Sequence, residues 1–373
     1  MSELLVLGDG IIGRTVAYYA SRAGYSVTLV DHPKVGAATP AAAGMLTPAA
    51  EVETAEDALI QFAINSCQSY PEFIEELEEE SGILCDYSTA GTLMLALHRD
   101  HLNQLNYLAA AQRAFGLEVT QLRRAEVLDL EPALSPGVVG ALYAANNHHV
   151  NPPLVHAALG EALTRYGVRR YQAESLRLPW MDNQLNEISL ITSQREHRLK
   201  PDFTVACGGA WVNEVLPQPL PARPVKGQYL RLKGPPLLKR VVRTPDVYLV
   251  PRRDGELYVG GTSEEKGFDT ARTAGAAMDL LYHTWRALPG SYELELMEHG
   301  VGFRPALRDN LPAIGATPVD GLFVATGHYR HGIMLAPATA KLLLETLASG
   351  EDTPKNAPFS PRRFFSAPTL EVA

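Results

Sequence analysis

Leu4-Leu5-Val6-Leu7-Gly8-Asp9-Gly10-Ile11-Ile12-Gly13 decides how the chain begins to fold. Four apolar residues run directly into Gly-x-Gly-x-x-Gly, and a helical pattern then continues to Ala23. This order predicts a buried strand, a tight turn and a helix. Gly24 stops the helix, and residues 26–30 predict a second buried strand ending at Asp31, 18 residues after Gly13. In such a βαβ unit Gly8 makes the turn, Gly10 leaves bare backbone for a pyrophosphate, and Gly13 lets the helix approach the sheet. The amides of the helix start, around Ile11 and Ile12, and the positive end of the helix dipole would offset phosphate charge. An acid at position 31 accepts two hydrogen bonds from an unphosphorylated adenosine ribose. The unit is therefore expected to bind a dinucleotide; FAD and NAD present the same ADP half to it.

Outward from this unit the chain repeats the device. His32 follows the acid, and residues 36–45, with Thr39, Ala42, Ala43, Gly44 and Met45, form a stretch of small side chains. Two readings stay open for it: backbone passing close to a flat ligand, or a tolerated loose loop. Residues 203–206 predict a buried strand running into Cys207-Gly208-Gly209-Ala210-Trp211, a second place where backbone can approach the same ligand. Cys207 has no base near it in sequence and reads as a small core residue rather than a nucleophile. Residues 322–325 predict a third such strand, feeding Thr326-Gly327-His328-Tyr329-Arg330-His331-Gly332 and a helix over 336–347. Ligands in open α/β sheets sit at the carboxyl ends of strands.

A chain of 373 residues has room for two domains, and 46% hydrophobic with 20% charged residues excludes collagen-like, coiled-coil and disordered classes. Acidic residues outnumber basic ones 42 to 33, so no field draws the chain to nucleic acid or anionic lipid. Cys67, Cys85 and Cys207 are scattered, and His148 and His149 lack ligands at metal spacing, so neither a disulfide scaffold nor a metal site is expected. With no export leader at the start and no apolar run of spanning length, a soluble, cytoplasmic protein without membrane insertion is expected.

Residues 54–80 predict a helix kinked at Pro71, with Glu75, Glu76, Glu78, Glu79 and Glu80 on a solvated face. Between residues 223 and 298 the texture changes to strands over 228–232, 247–250 and 257–260, the last two joined by Pro251-Arg252-Arg253-Asp254-Gly255, a hairpin signal. A helix over 270–288 offers Leu280, Leu281 and Trp285 to cover that sheet. The expected fold is α/β: a discontinuous Rossmann-like domain of residues 1–88, 145–222 and 299–350, and a second lobe on an antiparallel sheet with helices, residues 89–144 and 223–298. Residues 351–373 read as a tail, loosely ordered or packed on a neighbour.

Three further stretches carry a resemblance: Gly302-Phe303-Arg304-Pro305, Asp309-Asn310-Leu311-Pro312-Ala313-Ile314-Gly315, and Gly327-His328-Tyr329-Arg330-His331-Gly332-Ile333-Met334-Leu335-Ala336-Pro337. With the amino-terminal fingerprint, the chain over residues 4–350 resembles the FAD-dependent amine and amino-acid oxidase family that includes D-amino-acid oxidase and sarcosine oxidase. Within it, the chain is similar to the bacterial branch that oxidises glycine for thiamine biosynthesis. The resemblance implies that Arg304 grips the substrate carboxylate with its planar fork. It also implies that the Tyr248 hydroxyl is a second carboxylate contact and that Arg330 lies near the flavin and the substrate entrance.

The helix beginning near Ile333 and Met334 would point its amino end at the flavin, with Gly327, His328, Tyr329, His331 and Gly332 beside it. The implied reaction is hydride transfer from the α-carbon of glycine, sarcosine or D-alanine to flavin N5. It gives an imine, then an oxo acid and ammonia or an amine, with oxygen reduced to hydrogen peroxide. The imine can instead pass to thiazole synthesis. Relatives that tether flavin use a cysteine near the Arg304 region; the last cysteine here is Cys207, so noncovalent FAD is expected. A homo-oligomer, as a tetramer, is implied too. Two departures stand out: Asp9 occupies a position where a further glycine is frequent, and Asp31 one where glutamate is common. The alternative activity is a D-amino-acid or glycine dehydrogenase passing electrons to an acceptor other than oxygen; a flavin-binding protein without turnover is the reading outside the enzymes. Single methyl groups separate the candidate substrates and shift binding by only about 1–3 kcal/mol, which no residue pattern resolves.

Overall fold

The computed structural model describes residues 2–48, 57–181, 184, 185, 187–350 and 352–365. The chain divides into two compact units, one of Met1–Ala38, Leu159–Pro224 and Arg304–Ala373, the other of Thr39–Ala158 and Val225–Phe303.

The first unit is built on a six-stranded sheet. Its order is Ala313–Ala316, Leu322–Thr326, Phe203–Ala206, Glu3–Leu7, Ser26–Asp31, Arg169–Gln172. All of these neighbours run parallel except the first pair. Glu3–Leu7 and Leu322–Thr326 read as unbroken apolar runs because both faces of a parallel sheet are covered. The helices Ile11–Arg22 and Gly332–Ser349 pack against each other. A small antiparallel sheet of Ser175–Arg177, Ile188–Ile191 and Glu196–Leu199 contributes Ile188 and Leu190 to a cluster with Leu5, Leu7 and Val30.

The second unit carries an eight-stranded sheet in the order Glu295–Ala306, Arg223–Lys233, Glu256–Gly260, Tyr248–Pro251, Val241–Arg243, Thr92–Ala96, Gly140–Ala144, Thr120–Arg123. The pairing of Val241–Arg243 with Thr92–Ala96 is parallel; those flanking it are antiparallel. The helix Ala274–Ala287 lays Leu280 and Ala287 on Leu230, Leu232 and Val259 of this sheet.

The structure differs from the expected arrangement at three points. Residues 39–88 and 145–158 belong with the second unit: Met45–Leu46 pairs antiparallel with His148–His149, and Ser88 bridges His149. The expected kinked helix is two helices, Asp57–Gln68 and Tyr70–Ser81; residues 54–56 lie outside the described residues. Proline is tolerated in a first turn, where its missing N–H is not needed, so Pro71 begins a new helix instead of bending an old one. Leu281 and Trp285 do not cover the sheet. The helix is apolar on two sides, and the stripe of Ala276, Leu280, Thr284 and Ala287 is the one that faces inward.

The described part of the tail, residues 352–365, is ordered on the first unit. Phe359 is buried, Phe364 and Phe365 pack beside Leu220 and Leu307, and the Arg363 guanidinium pairs with Asp309 at 2.8 Å. Among the described residues no helix is long and apolar enough to cross a membrane, and no group of three or more His, Cys, Asp or Glu is arranged to hold a metal ion.

Candidate active site

In the first unit four parallel strands end side by side: Leu7 is in register with Ala206 and Val30, and Ala206 with Val324. The glycine-rich turns leave from these strand ends. Gly8 has φ +119°, and a Cβ there would lie 2.5 Å from the carbonyl oxygen of Cys207. A Cβ on Gly13 would lie 1.8 Å from the carbonyl oxygen of Gly8. Both glycines are thus required by the chain's own packing. Gly10 caps the helix in an extended conformation and, being glycine, brings no capping side chain of its own. The first-turn amides are the groups a pyrophosphate needs.

Asp31 stands half-buried at its strand end; burial, then the nearby Asp9, push its carboxyl up, while Arg14 draws it down. Arg14 grips Asp9 by Nε to Oδ1 at 2.6 Å, a pairing that glycine spacing alone does not foretell. His32 lies 3.7 Å from Glu214, which Lys34 also approaches at 2.7 Å. Cys207 is buried and its thiol is pushed up by that burial, so it offers packing and backbone, not a thiolate. Gly209 has φ +56° with nothing within 4 Å of a Cβ, whereas Trp211 is half-buried in the short helix Gly209–Glu214.

The Arg304 strand and the Arg330 loop are tied through backbone. The Tyr329 amide donates to the Pro305 carbonyl at 2.7 Å, and Ala306 bridges His328. Gly327 (φ +76°) turns the chain where a Cβ would strike Leu307 at 2.5 Å, and Tyr329 itself has φ +50°. Arg304 is half-buried; Arg330 is exposed, its guanidinium 5.2 Å from the Tyr329 ring centroid. His328 is hydrogen-bonded to Thr339 at 2.9 Å, and burial, followed by His331, pushes it down to about 3. Burial thus keeps the ring neutral. The helix Gly332–Ser349 starts four residues earlier than its apolar pattern predicts, immediately after this loop, with no side-chain cap and with Ile333 and Met334 buried.

In the second unit Tyr248 opens the strand Tyr248–Pro251 and lies over Gly260, where a Cβ would meet its ring at 2.2 Å. It stacks on Tyr258 at 6.2 Å, and Tyr258 stacks on Tyr229 at 5.1 Å. The Tyr229 hydroxyl donates to Glu298 and the Tyr258 hydroxyl to the Ala41 carbonyl. Tyr248's hydroxyl has no hydrogen-bond partner among the described residues. The stack was missed in the sequence, although tyrosines in strands with glycines opposite, Gly260 and Gly300, are its signal.

The small-residue stretch is not a loose loop. Arg252, 5% exposed, donates to the carbonyls of Ala43 and Val150 at 2.6 Å each, and Arg231 donates to that of Pro40 at 3.0 Å. Gly44 (φ +82°) is pressed against Val150, whose carbonyl oxygen would lie 2.1 Å from a Cβ. Thr39 and Ala43 are buried, and Ala42 and Met45 partly so. The backbone here is presented at fixed height by side chains of its own unit.

Glycine-lined strand ends, a glycine-capped helix start and an acid 18 residues beyond the fingerprint fit the ADP half of a dinucleotide. The chain matches the family described as FAD dependent oxidoreductase over residues 3–346, and it belongs to that family. Among its relatives, it is 30% identical over 366 residues to the glycine oxidase of Geobacillus kaustophilus, 96% of each chain being covered. The crystal structure of glycine oxidase from that organism superposes with a TM-score of 0.85, covering 96% of this chain and 98% of the other. The bifunctional protein ThiO/ThiG of Synechocystis is 31% identical over 98% of this chain and 54% of its own length, so the chain spans about half of that relative. The iminodiacetate oxidase of Chelativorans sp. BNC1 superposes with a TM-score of 0.87 at 26% identity, covering 96% and 98%.

Proposed function

We propose that the protein oxidises glycine and related small amines, sarcosine and D-alanine among them, with noncovalently held FAD. The observation that carries this reading is the fastening of the Arg304 strand to the Arg330 loop by the 2.7 Å bond from Tyr329 to Pro305. It fixes two guanidinium-bearing segments next to the start of the helix Gly332–Ser349. Bound FAD would supply the hydride acceptor and return the electrons to oxygen as hydrogen peroxide.

Arg304 would take the substrate carboxylate in two parallel hydrogen bonds, and the Tyr248 hydroxyl would donate to a carboxylate in its turn. Arg330 would guard substrate entry. With His328 neutral and engaged by Thr339, no side-chain base is assigned, and the amine would react as its neutral form. Gly8, Gly10, Ile11, Ile12, Gly13 and Asp31 would hold the ADP half, with Asp9 contributing its backbone to the turn. His32, Thr39, Ala42, Ala43, Gly44, Met45, Cys207, Gly208, Gly209, Trp211 and residues 327–334 would line the rest of the cofactor. A tether through cysteine needs a reactive thiolate. Burial pushes Cys67 and Cys85 up to about 12, and Cys207 up as well, which favours noncovalent binding.

Substrate imine would hydrolyse to an oxo acid and ammonia, or pass to thiazole synthesis, which the ThiO/ThiG relatives' name supports. We place the enzyme in the cytoplasm as a homo-oligomer, with a tetramer as the proposed assembly. The experiment is anaerobic titration of the yellow protein with glycine, sarcosine, D-alanine, D-proline and L-amino acids, followed by oxygen. Bleaching by the small amines, then colour return with stoichiometric peroxide, is expected. Bleaching that oxygen cannot reverse would make it a dehydrogenase, and no bleaching by any of them would defeat the reading.

A further inference from the structure

We propose that Arg14 sets the affinity of this chain for FAD by neutralising Asp9 within the phosphate-binding turn, an inference that rests on the FAD-binding reading above. A carboxylate between the first two fingerprint glycines stands where a doubly charged pyrophosphate must come, and like charges repel across such distances. Arg14, one position beyond Gly13, turns back along its own helix and meets Asp9 with two parallel contacts, Nε to Oδ1 at 2.6 Å and Nη2 to Oδ2 at 2.5 Å. This is the planar fork that only arginine offers. The two side chains are 13% and 18% exposed, so water screens the pair little.

Two further observations bear on the pair. The charge on Asp9 reaches the ribose-binding position: after burial, it is what pushes the Asp31 carboxyl up, and Arg14 opposes it. The guanidinium also has a berth made for it. Gly160, inside the helix Pro152–Arg165, lies against the guanidinium: a Cβ there would lie 2.5 Å from Nη1 of Arg14, so that the arginine would have to shift. A helix-interior glycine costs stability relative to alanine. Seating Arg14 is what this one allows.

The test is equilibrium titration of apoprotein with FAD, read by flavin fluorescence, together with apoprotein melting. Arg14→Ala should weaken FAD binding about tenfold or more, and the loss should shrink as salt is raised, because salt screens the repulsion that the open turn then exposes. Asp9→Gly should bind as well as the wild type or better. The double variant should return to within about threefold of wild type, a non-additive cycle. Gly160→Ala should melt no lower than wild type yet bind FAD more weakly, because it unseats Arg14 without changing any charge. Additive losses in the double variant, or unchanged affinity in Arg14→Ala, would overturn the proposal. A folded wild type that takes up no FAD at all would remove the reading beneath it, an outcome distinct from either.

Discussion

Arg304 is an arginine where a lysine would have the same charge, and that difference can be measured. If its fork holds the substrate carboxylate, Arg304→Lys keeps the charge and loses the second parallel bond, so KM for glycine should rise by about tenfold to a hundredfold. Arg304→Ala should lose more, while both variants keep the flavin spectrum. Tyr248→Phe removes one neutral hydroxyl donor and should raise KM only about threefold to tenfold. An unchanged KM in Arg304→Lys would take the carboxylate away from this residue.

The same scale holds a pH prediction. Burial pushes His149 down to about 4, with Arg252 adding to it, and His328 to about 3. In the unfolded chain both titrate near 6.5. Between these values the unfolded chain binds protons that the folded chain refuses, so this contribution to stability is whole above about pH 7 and is lost as pH falls. At pH 5 the two groups together cost about 4 kcal/mol. Asp86 and Glu131, pushed up by burial, pull the opposite way. The diagnostic is therefore a difference: urea midpoints at pH 7 and pH 5 should separate less in His328→Asn than in wild type.

Arg304 could be proposed from the sequence because its motif is local. Arg252 could not, because the hairpin Pro251-Arg252-Arg253-Asp254-Gly255 reads as a solvated turn, and its partners are carbonyls about 100 and 200 residues away.

Among the elements, those with one strong local cause were legible. The strand Glu3–Leu7, the helix Ile11–Arg22 and the hairpin around Asp254-Gly255 follow from apolar runs and turn chemistry alone. Residues 36–45 were ambiguous because small side chains say only that something comes close, not what. Val150, Tyr258 and Arg252 are the neighbours that come close to this stretch.

Two glycines separate conformational freedom from close approach. Gly24 has φ +90° with nothing within 4 Å of a Cβ, and Gly44 has φ +82° with the Val150 carbonyl oxygen 2.1 Å away. Gly24→Ala should cost about 1 kcal/mol, the left-handed strain alone. Gly44→Ala carries that strain and a clash with backbone, so its cost should exceed about 3 kcal/mol. Chemical denaturation of the two variants checks this, and equal losses would mean that the Gly44 contact is soft.

At the scale of the whole molecule, the helix Ala274–Ala287 has a face its own sheet does not use. Met278, Leu281, Tyr282 and Trp285 are exposed at helical spacing, on the side away from Ala276, Leu280, Thr284 and Ala287. Tyr292, Leu296 and Met297 come directly after and are exposed too, Tyr292 to 80%. A monomer rarely leaves so many large apolar groups together in water. A two-fold contact needs about 800 Å² from each copy. Tyr282 and Trp285, each about half exposed, offer about 200 Å² between them, so the helix stripe alone falls short and residues 292–297 must take part.

Two copies of the helix crossing antiparallel midway between Tyr282 and His283 would set Asp279 of one opposite Arg286 of the other, because the two stand on one flank at equal distances from that centre. The wild type should therefore sediment above 40.6 kDa at micromolar concentration. Trp285→Glu and Tyr292→Glu should each shift it toward the monomer while leaving FAD content unchanged. Asp279→Arg should weaken association by like-charge repulsion, and Asp279→Arg with Arg286→Asp should restore it, since each copy then supplies both halves of the exchanged pair. A wild type that stays monomeric at tens of micromolar, or a double variant no better than the single, would assign this face to a different partner.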